Sequence, residues 1–226
     1  MRAMILAAGR GSRLKPLTDT CPKPLVPVAN KPLIVYHLET LYTMGVREVV
    51  INVSYLREKI IQFLGNGNTF GLTIEYSIEE YALETGGGIY NALPLLGSNP
   101  FLLVSSDIFM DYSGVNFPIL DVKLAHLFLV PNPSHNAKGD FGLKQGEVVR
   151  KRSQDKSYTY ANLALLKPAL FQYCQSEAFP LVAVILQAIM HQGVSGELFQ
   201  GHWSDVGTLE SLQKLEDNIN QQFVCA

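Results

Sequence analysis

A turn suited to binding an anion is indicated within the first two dozen residues of the sequence. An apolar run ends in small residues and two glycines, and an arginine and a lysine follow: Ala8, Gly9, Gly11, Ser12, Arg13 and Lys23. Glycines let backbone N–H groups approach an anion closely, because no Cβ stands in the way. An arginine grips phosphate oxygens with two N–H groups, and a lysine adds a compact positive charge. The sequence therefore predicts a site for a polyanion here.

A carboxylate ends a second apolar run further along the chain. Residues 100–107 predict a buried strand that runs directly into Asp107. Because open α/β sheets bind ligands at the carboxyl ends of their strands, Asp107 is expected at such a crevice. Mg²⁺ takes one or two carboxylates there and completes its shell with water and phosphate oxygens. A helix-capping aspartate would have the same sequence pattern, so both interpretations stay open.

Two common phosphate-binding motifs do not fit the first turn. The dinucleotide fingerprint needs a third glycine, and Leu14 stands in its place. The P-loop needs Gly-Lys-Ser/Thr after four free positions, which this stretch does not provide. A nicotinamide-dependent dehydrogenase is therefore a weak alternative.

The elements that must position these residues alternate between strands and helices. Predicted strands cover 2–8, 47–53, 72–76, 100–107, 124–130 and 158–166, and predicted helices begin near Asn30, Leu56, Ile89, Val182 and Gly207. The strand over 47–53 is largely apolar, as parallel strands buried on both faces are. The alternation predicts an α/β fold with a parallel sheet and helices on both faces.

The composition changes after residue 130, where glycines and prolines mark short polar turns. Residues 141–143 and 147–149 could pair as a hairpin, which predicts a small inserted β lid beside the main sheet. A chain of 226 residues can bury one sizeable core. We therefore expect one domain over 1–226, with the lid region at about 131–166.

The bulk composition excludes several classes of protein. A net charge of −2 with 17% charged residues offers no basic surface for nucleic acid or for a membrane. Three widely spaced cysteines, Cys21, Cys174 and Cys225, indicate reduced thiols. The apolar start is too short for a signal peptide or a membrane span. A cytoplasmic protein is expected.

The first turn belongs to a longer pattern. Leu6-Ala7-Ala8-Gly9-x-Gly11-x-Arg13-Leu14-x-Pro16-Leu17-Thr18, followed by Pro22-Lys23-Pro24-Leu25-Val26-Pro27-Val28, resembles the signature of the sugar-1-phosphate nucleotidyltransferases. The resemblance implies a Rossmann-like, mainly parallel sheet that holds a nucleoside triphosphate over its edge. It also implies that a sugar 1-phosphate oxygen attacks the α-phosphorus of that triphosphate and releases pyrophosphate. That nucleophile is already ionised, and such transfer needs positioning and charge neutralisation more than a general base. The implied catalytic residues are Arg13, Lys23 and Asp107.

The resemblance implies further site residues. Trp203-x-Asp205-x-Gly207-Thr208 matches the family's second metal motif, so Asp107 and Asp205 are expected to hold Mg²⁺. Residues 79–88, with three glycines before a predicted helix, would bind the nucleobase, and the expected contacts are Glu79, Glu84 and Gly86. Gly139-Asp140-Phe141 resembles the family's sugar-binding turn, and Asn162 stands where relatives contact the sugar. Two departures are Ser106 in place of the usual glycine and the absence of a Glu-Lys-Pro near residue 150.

Within the family, the chain resembles most the short bacterial members that join UTP to N-acetyl-α-muramate 1-phosphate in cell-wall recycling. Mannose-1-phosphate guanylyltransferases and glucose-1-phosphate thymidylyltransferases share the same core and remain alternatives. A non-catalytic sensor of nucleotide sugars is an alternative of another class, although Lys23, Asp107 and Asp205 are all present. The expected partners are the two substrates alone, with the protein a monomer or a small homo-oligomer.

Overall fold

The computed structural model describes residues 1–112, 114–119, 121–152 and 156–224. Its strands are β1 (Ala3–Leu6), β2 (Pro27–Val28), β3 (Lys31–Pro32), β4 (Glu48–Val53), β5 (Thr73–Ile78), β6 (Phe101–Ser105), β7 (Ile108–Met110), β8 (Ala125–Val130), β9 (Phe141–Lys144), β10 (Glu147–Arg150), β11 (Ser157–Leu166), β12 (Val194–Leu198) and β13 (Trp203–Asp205). The helices are α1 (Leu33–Thr43), α2 (Arg57–Leu64), α3 (Glu84–Leu96), α4 (Leu181–Met190) and α5 (Leu209–Val224).

Nine strands form one sheet in the order β5-β4-β1-β6-β11-β8-β12-β10-β9. Only β11 and β10 run against the other seven strands. The predicted α/β fold with a mainly parallel, Rossmann-like sheet is therefore confirmed. Leu6 at the end of β1 lies opposite Asn52 of β4 and Ser105 of β6, so three parallel strands end at one edge. Ligands of such sheets bind outside that edge.

Helices cover both faces of the sheet, because alternate side chains of each strand point to opposite faces. Ile5 of β1 belongs to one apolar core with Leu38 of α1, whereas its neighbour Met4 belongs to a second core with Ile89 of α3 and Ile185 of α4. Each fully buried aliphatic side chain of this kind contributes roughly 1.5–3 kcal/mol. Burial on both sides explains why the central strands β1 and β6 are almost continuously apolar.

The predicted hairpin in the lid region is present as β9 and β10. Gln145 and Gly146 form its two-residue turn, and both have positive φ, of 51° and 79°. This is the backbone conformation that tight hairpin turns require. The hairpin extends the main sheet at its far edge, since β10 pairs with β12 and β9 with β11. Strand β11, which the sequence placed in the lid region, lies between β6 and β8.

Two local predictions were wrong. The glycines at 86–88 lie inside α3, which begins at Glu84 rather than at Ile89. A Cβ on Gly86 would lie 2.4 Å from the Phe179 ring, so glycine here permits a close approach between the helix and a neighbouring segment. Asn30 does not begin a helix: with φ of 65° it forms the turn between β2 and β3.

Strands β7 and β13 form a separate two-stranded ribbon, followed by α5. Leu212, Leu215 and Ile219 of that helix pack in a third core with Val26 and Val28. Among the described residues, none of the helices combines the length and the apolar character needed to cross a bilayer. Cys21 and Cys174 are free thiols, and Cys225 lies outside the described residues.

Candidate active site

A cleft of about 370 Å³ lies at the edge where β1, β4 and β6 end. Nine of the residues singled out from the sequence line it: Ala8, Gly9, Gly11, Ser12, Arg13, Lys23, Glu79, Glu84 and Asp107. Gly86 does not line it, and Asp140 and Asn162 line a second cavity next to it. The sequence therefore anticipated which distant segments meet at this edge.

The glycine turn after β1 has a conformation that explains its composition. Gly11 has φ of 67° and precedes a 3₁₀ turn at Ser12–Leu14. A Cβ on Gly11 would lie 2.9 Å from Cβ of Lys23, so a larger residue would be both strained and crowded. A Cβ on Gly9 would meet nothing within 4 Å, so that glycine borders open space in the cleft.

Lys23 and Asp107 form an ion pair at the cleft wall, with 3.1 Å between Nζ and Oδ2. The Ser105 hydroxyl donates to the other oxygen of Asp107, at 2.8 Å. Burial opposes the ionisation of Asp107, but the charge of Lys23 and the two hydrogen bonds outweigh it, so the pKa of Asp107 is lowered. Ser106, which replaces the family's usual glycine, donates its hydroxyl to the carbonyl of Leu6 at 2.7 Å and ties β6 to β1.

The β7–β13 ribbon brings Asp205 to the same place. Asp107 directly precedes β7, Asp205 lies opposite Ile108, and the Val206 N–H donates to the Asp107 carbonyl at 3.0 Å. A Cβ built on Gly207 would lie 3.0 Å from both Arg13 Nη1 and Asp205 Oδ1. The two aspartates and Arg13 therefore meet at one end of the ribbon.

A buried histidine that the sequence did not reveal anchors this ribbon. His37 of α1 donates Nε2–H to the Ile108 carbonyl at 2.9 Å, because a carbonyl can only accept. Its Nδ1 is therefore the acceptor for the Tyr112 hydroxyl, at 3.2 Å. Burial lowers the pKa of His37 to about 4, so the ring is neutral at physiological pH.

Asp205 has a second histidine neighbour that the sequence did not indicate. Nε2 of His135 lies 3.2 Å from Oδ2 of Asp205. His135 belongs to the 3₁₀ turn Ser134–Asn136, between β8 and β9. It is separated from Asp205 by 70 residues of sequence, so no local motif could have paired them.

On the opposite side of the cleft, Glu79 is engaged by the protein itself. Nδ2 of Asn52 donates to Glu79 Oε1 at 2.6 Å, and the Leu83 N–H donates to Oε2 at 3.4 Å. Asn52 also accepts the Ala7 N–H at 2.8 Å and so links β4 to β1. Burial raises the pKa of Glu79, although both hydrogen bonds act in the opposite direction. Glu79 thus supports the loop before α3, and its contact with a base stays a prediction.

The start of α3 presents Glu84 and Thr85 to the cleft. Glu84 has φ of 57°, a conformation that costs a non-glycine residue roughly 1 kcal/mol or more. The N–H groups of Gly86 and Gly87 both donate to the Phe179 carbonyl, at 2.9 and 3.1 Å. Both N–H groups are therefore already hydrogen-bonded within the protein.

The second cavity, of about 280 Å³, adjoins the cleft through Leu6 and Thr85, which line both. Asp140 accepts a hydrogen bond from Nδ2 of Asn136 at 3.0 Å and another from the backbone of Tyr160 at 2.8 Å. Asn162 has φ of 58° and sits where the pairing of β11 with β8 is irregular. Within the described part of the chain, the buried Tyr160 hydroxyl has no partner.

Residues 2–124 match the family model described as Nucleotidyl transferase. The match spans more than half of the chain, so this protein belongs to the nucleotidyl transferase family. The family resemblance seen in the sequence is confirmed.

Similar proteins agree with that family. The chain is 42% identical to the N-acetylmuramate alpha-1-phosphate uridylyltransferase of Neisseria meningitidis serogroup B, covering 96% of this chain and 97% of that protein. It is 32% identical to a mannose-1-phosphate guanyltransferase of Hypocrea jecorina, of which it spans only 61%. The crystal structure of a putative glucose-1-phosphate thymidylyltransferase from Bacillus anthracis has a TM-score of 0.85 at 21% identity, over 96% of this chain and 95% of that one. At this low sequence identity, the structural similarity supports the fold alone.

Proposed function

We propose that the protein joins UTP to N-acetyl-α-muramate 1-phosphate, giving a UDP-sugar and pyrophosphate. The observation that carries the transfer chemistry is the meeting of Arg13, Lys23, Asp107 and Asp205 beside a cleft that continues into a second cavity. The choice of uracil and of the muramate sugar rests on the name of the Neisseria relative, which matches this chain over nearly its whole length. A place in cell-wall recycling and in the cytoplasm is proposed together with that substrate, for a monomer or a small homo-oligomer.

The nucleotide occupies the cleft in this proposal. Its phosphates lie on the turn around Gly11, and Arg13 holds the leaving pyrophosphate. Glu84, at the exposed start of α3, contacts the base, while the Asn52–Glu79 pair keeps the preceding loop in place. Lys23 sits between the phosphates of the two substrates and neutralises charge that develops during transfer.

The sugar 1-phosphate occupies the second cavity, with its phosphate directed toward the cleft. Asp140 accepts hydrogen bonds from sugar hydroxyls with its remaining lone pairs, and Asn162 lies beside it. The phosphate oxygen attacks the α-phosphorus in line, the bond to the pyrophosphate oxygen breaks, and pyrophosphate leaves. Because the attacking oxygen is ionised at neutral pH, no side chain has to remove a proton.

Mg²⁺ fits the donor set at the end of the ribbon. Asp107 has a lowered pKa and is ionised, and Asp205 supplies a second carboxylate from the paired strand. Within the described residues no cluster of three or more His, Cys, Asp or Glu side chains suits a metal. Two carboxylates are enough for Mg²⁺ when phosphates and water supply the other oxygens. When bound, the ion would be held by Asp107 and Asp205 and would neutralise negative charge on the phosphates.

Pyrophosphate release with four nucleoside triphosphates and three sugar 1-phosphates tests the proposal. The sugars are N-acetyl-α-muramate, α-mannose and α-glucose 1-phosphates, each assayed with Mg²⁺ and with a chelator. We expect the highest kcat/KM for UTP with the muramate sugar, and loss of turnover with the chelator. A preference for GTP with mannose or dTTP with glucose would instead identify one of the alternative transferases. Tight binding of a nucleotide sugar without any turnover would identify a sensor.

A further inference from the structure

We propose that His135 is a positioning residue that orients Asp205 for cation binding. The inference rests on the proposed function, since it concerns the same Mg²⁺ site. Its basis is the 3.2 Å contact between Nε2 of His135 and Oδ2 of Asp205. Nε2 is a ring nitrogen that can carry a proton, and it faces a carboxylate oxygen, so the two side chains are in polar contact.

The turn that carries His135 is held firmly on its other side. Nδ2 of Asn136 donates to Asp140 at 3.0 Å and lies 3.2 Å from the Thr159 hydroxyl. That hydroxyl in turn donates to the side chain of Asn132 at 3.1 Å. His135 therefore contacts the proposed metal ligand Asp205, and the next residue, Asn136, binds the proposed sugar-binding residue Asp140. These hydrogen bonds of Asn136 hold the turn from which the imidazole extends.

The contact with His135 involves one carboxylate oxygen of Asp205 and leaves the other, Oδ1, for a cation. With Oδ2 in contact with His135, Oδ1 is the oxygen that faces Gly207, because a Cβ built on that glycine would lie 3.0 Å from Oδ1 and 3.0 Å from Arg13 Nη1. An aspartate carboxylate otherwise turns readily about its last bond, because that torsion has broad minima. Holding one oxygen therefore fixes where the other presents its lone pairs. Removing an outer-shell partner of a metal ligand typically lowers metal affinity by roughly 10–100-fold.

The test measures how Mn²⁺, added as a probe in the presence of UTP and without the sugar 1-phosphate, raises the thermal unfolding midpoint of the protein above its value with UTP alone. In His135→Ala we expect the Mn²⁺ concentration for half the maximal shift to rise by about 10–100-fold. His135→Gln keeps an N–H donor and should recover part of that loss. His191→Ala is the matched control, since His191 is an exposed histidine at the end of α4. It should follow the wild-type curve.

Two further variants separate this inference from the proposed function. Asp107→Asn and Asp205→Asn should abolish the Mn²⁺ shift if these carboxylates hold the ion. If the shift persists in both, or is absent from the wild type, the metal site itself is wrong and the role of His135 falls with it. If the aspartate variants lose the shift while His135→Ala keeps the wild-type curve, only the positioning role is overturned. The midpoint of each variant without metal shows that it is folded.

Discussion

Lowering the pH from 7.5 to 5 should destabilise the protein by about 2 kcal/mol through His37 alone. This histidine is buried between α1 and the β7 strand, where it bonds the Ile108 carbonyl and the Tyr112 hydroxyl. Burial lowers its pKa to about 4, and the nearby charge of Asp107 opposes that effect only in part. In the unfolded chain the imidazole titrates near its ordinary value of about 6.5.

The protein loses stability on acidification because the unfolded chain binds a proton at His37 before the folded protein does. Between the unfolded pKa of about 6.5 and the folded pKa of about 4, the unfolded chain is protonated and the folded protein is not. The free energy of unfolding therefore falls as the pH drops through this window and changes no further below it. Above about pH 7 both states are neutral, and His37 makes no pH-dependent contribution. The loss of about 2 kcal/mol at pH 5 follows from these two pKa values, because one pKa unit corresponds to about 1.36 kcal/mol.

Urea unfolding of the wild type and of His37→Phe at pH 7.5, 6 and 5 measures this contribution. The variant loses two hydrogen bonds and is less stable at every pH, but it lacks the titrating ring. Because the other ionisable groups are common to both proteins, the difference between their pH slopes isolates His37. We expect the wild type to lose about 2 kcal/mol more than the variant between pH 7.5 and 5. Parallel slopes would show that His37 is not held neutral in the folded protein.

Three substitutions probe the cleft and the second cavity. Lys23→Ala should lower kcat by roughly 10²–10³-fold while the protein stays folded, and near-normal turnover would contradict its placement between the phosphates. Gly88→Ala brings a methyl within 2.5 Å of Glu79 Oε1 and 2.9 Å of Asn52 Nδ2, so we expect a loss of about 1–3 kcal/mol in urea unfolding and a higher KM for UTP. If Gly88→Ala had the stability and the KM of the wild type, the Asn52–Glu79 pair would not support the loop before α3. Asp140→Ala should raise the KM for the sugar 1-phosphate and leave that for UTP unchanged, whereas equal effects on both would argue against a sugar subsite.

Much of the fold could be predicted because the apolar runs of the sequence are the segments that the structure buries. The first strand is apolar at successive positions, since Met4 and Ile5 enter different cores on the two faces of the sheet. The position of Asp107 at the end of β6 follows from the same pattern, because parallel strands carry their ligand site at that edge. The glycine turn at Gly11 was predictable as well, since its conformation excludes most other residues.

The remaining features depend on contacts between distant segments. A run of three glycines is a poor helix former, yet α3 includes it because Phe179 and Glu177 pack where Cβ atoms would stand. The pairing of His135 with Asp205 arises only when the β8–β9 turn meets the ribbon. Nothing in the sequence marked His37 as the anchor of β7, because it is one position among others on the apolar face of α1.

Asp107 and Asp205 are proposed to hold one cation beside the phosphates of the nucleotide. Anomalous diffraction from crystals grown with Mn²⁺ and UTP tests it most directly. We expect one strong peak bonded to a carboxylate oxygen of each aspartate and to nucleotide phosphate oxygens, next to Arg13. A peak bonded to neither aspartate, or UTP bound away from the Gly11 turn, would contradict it.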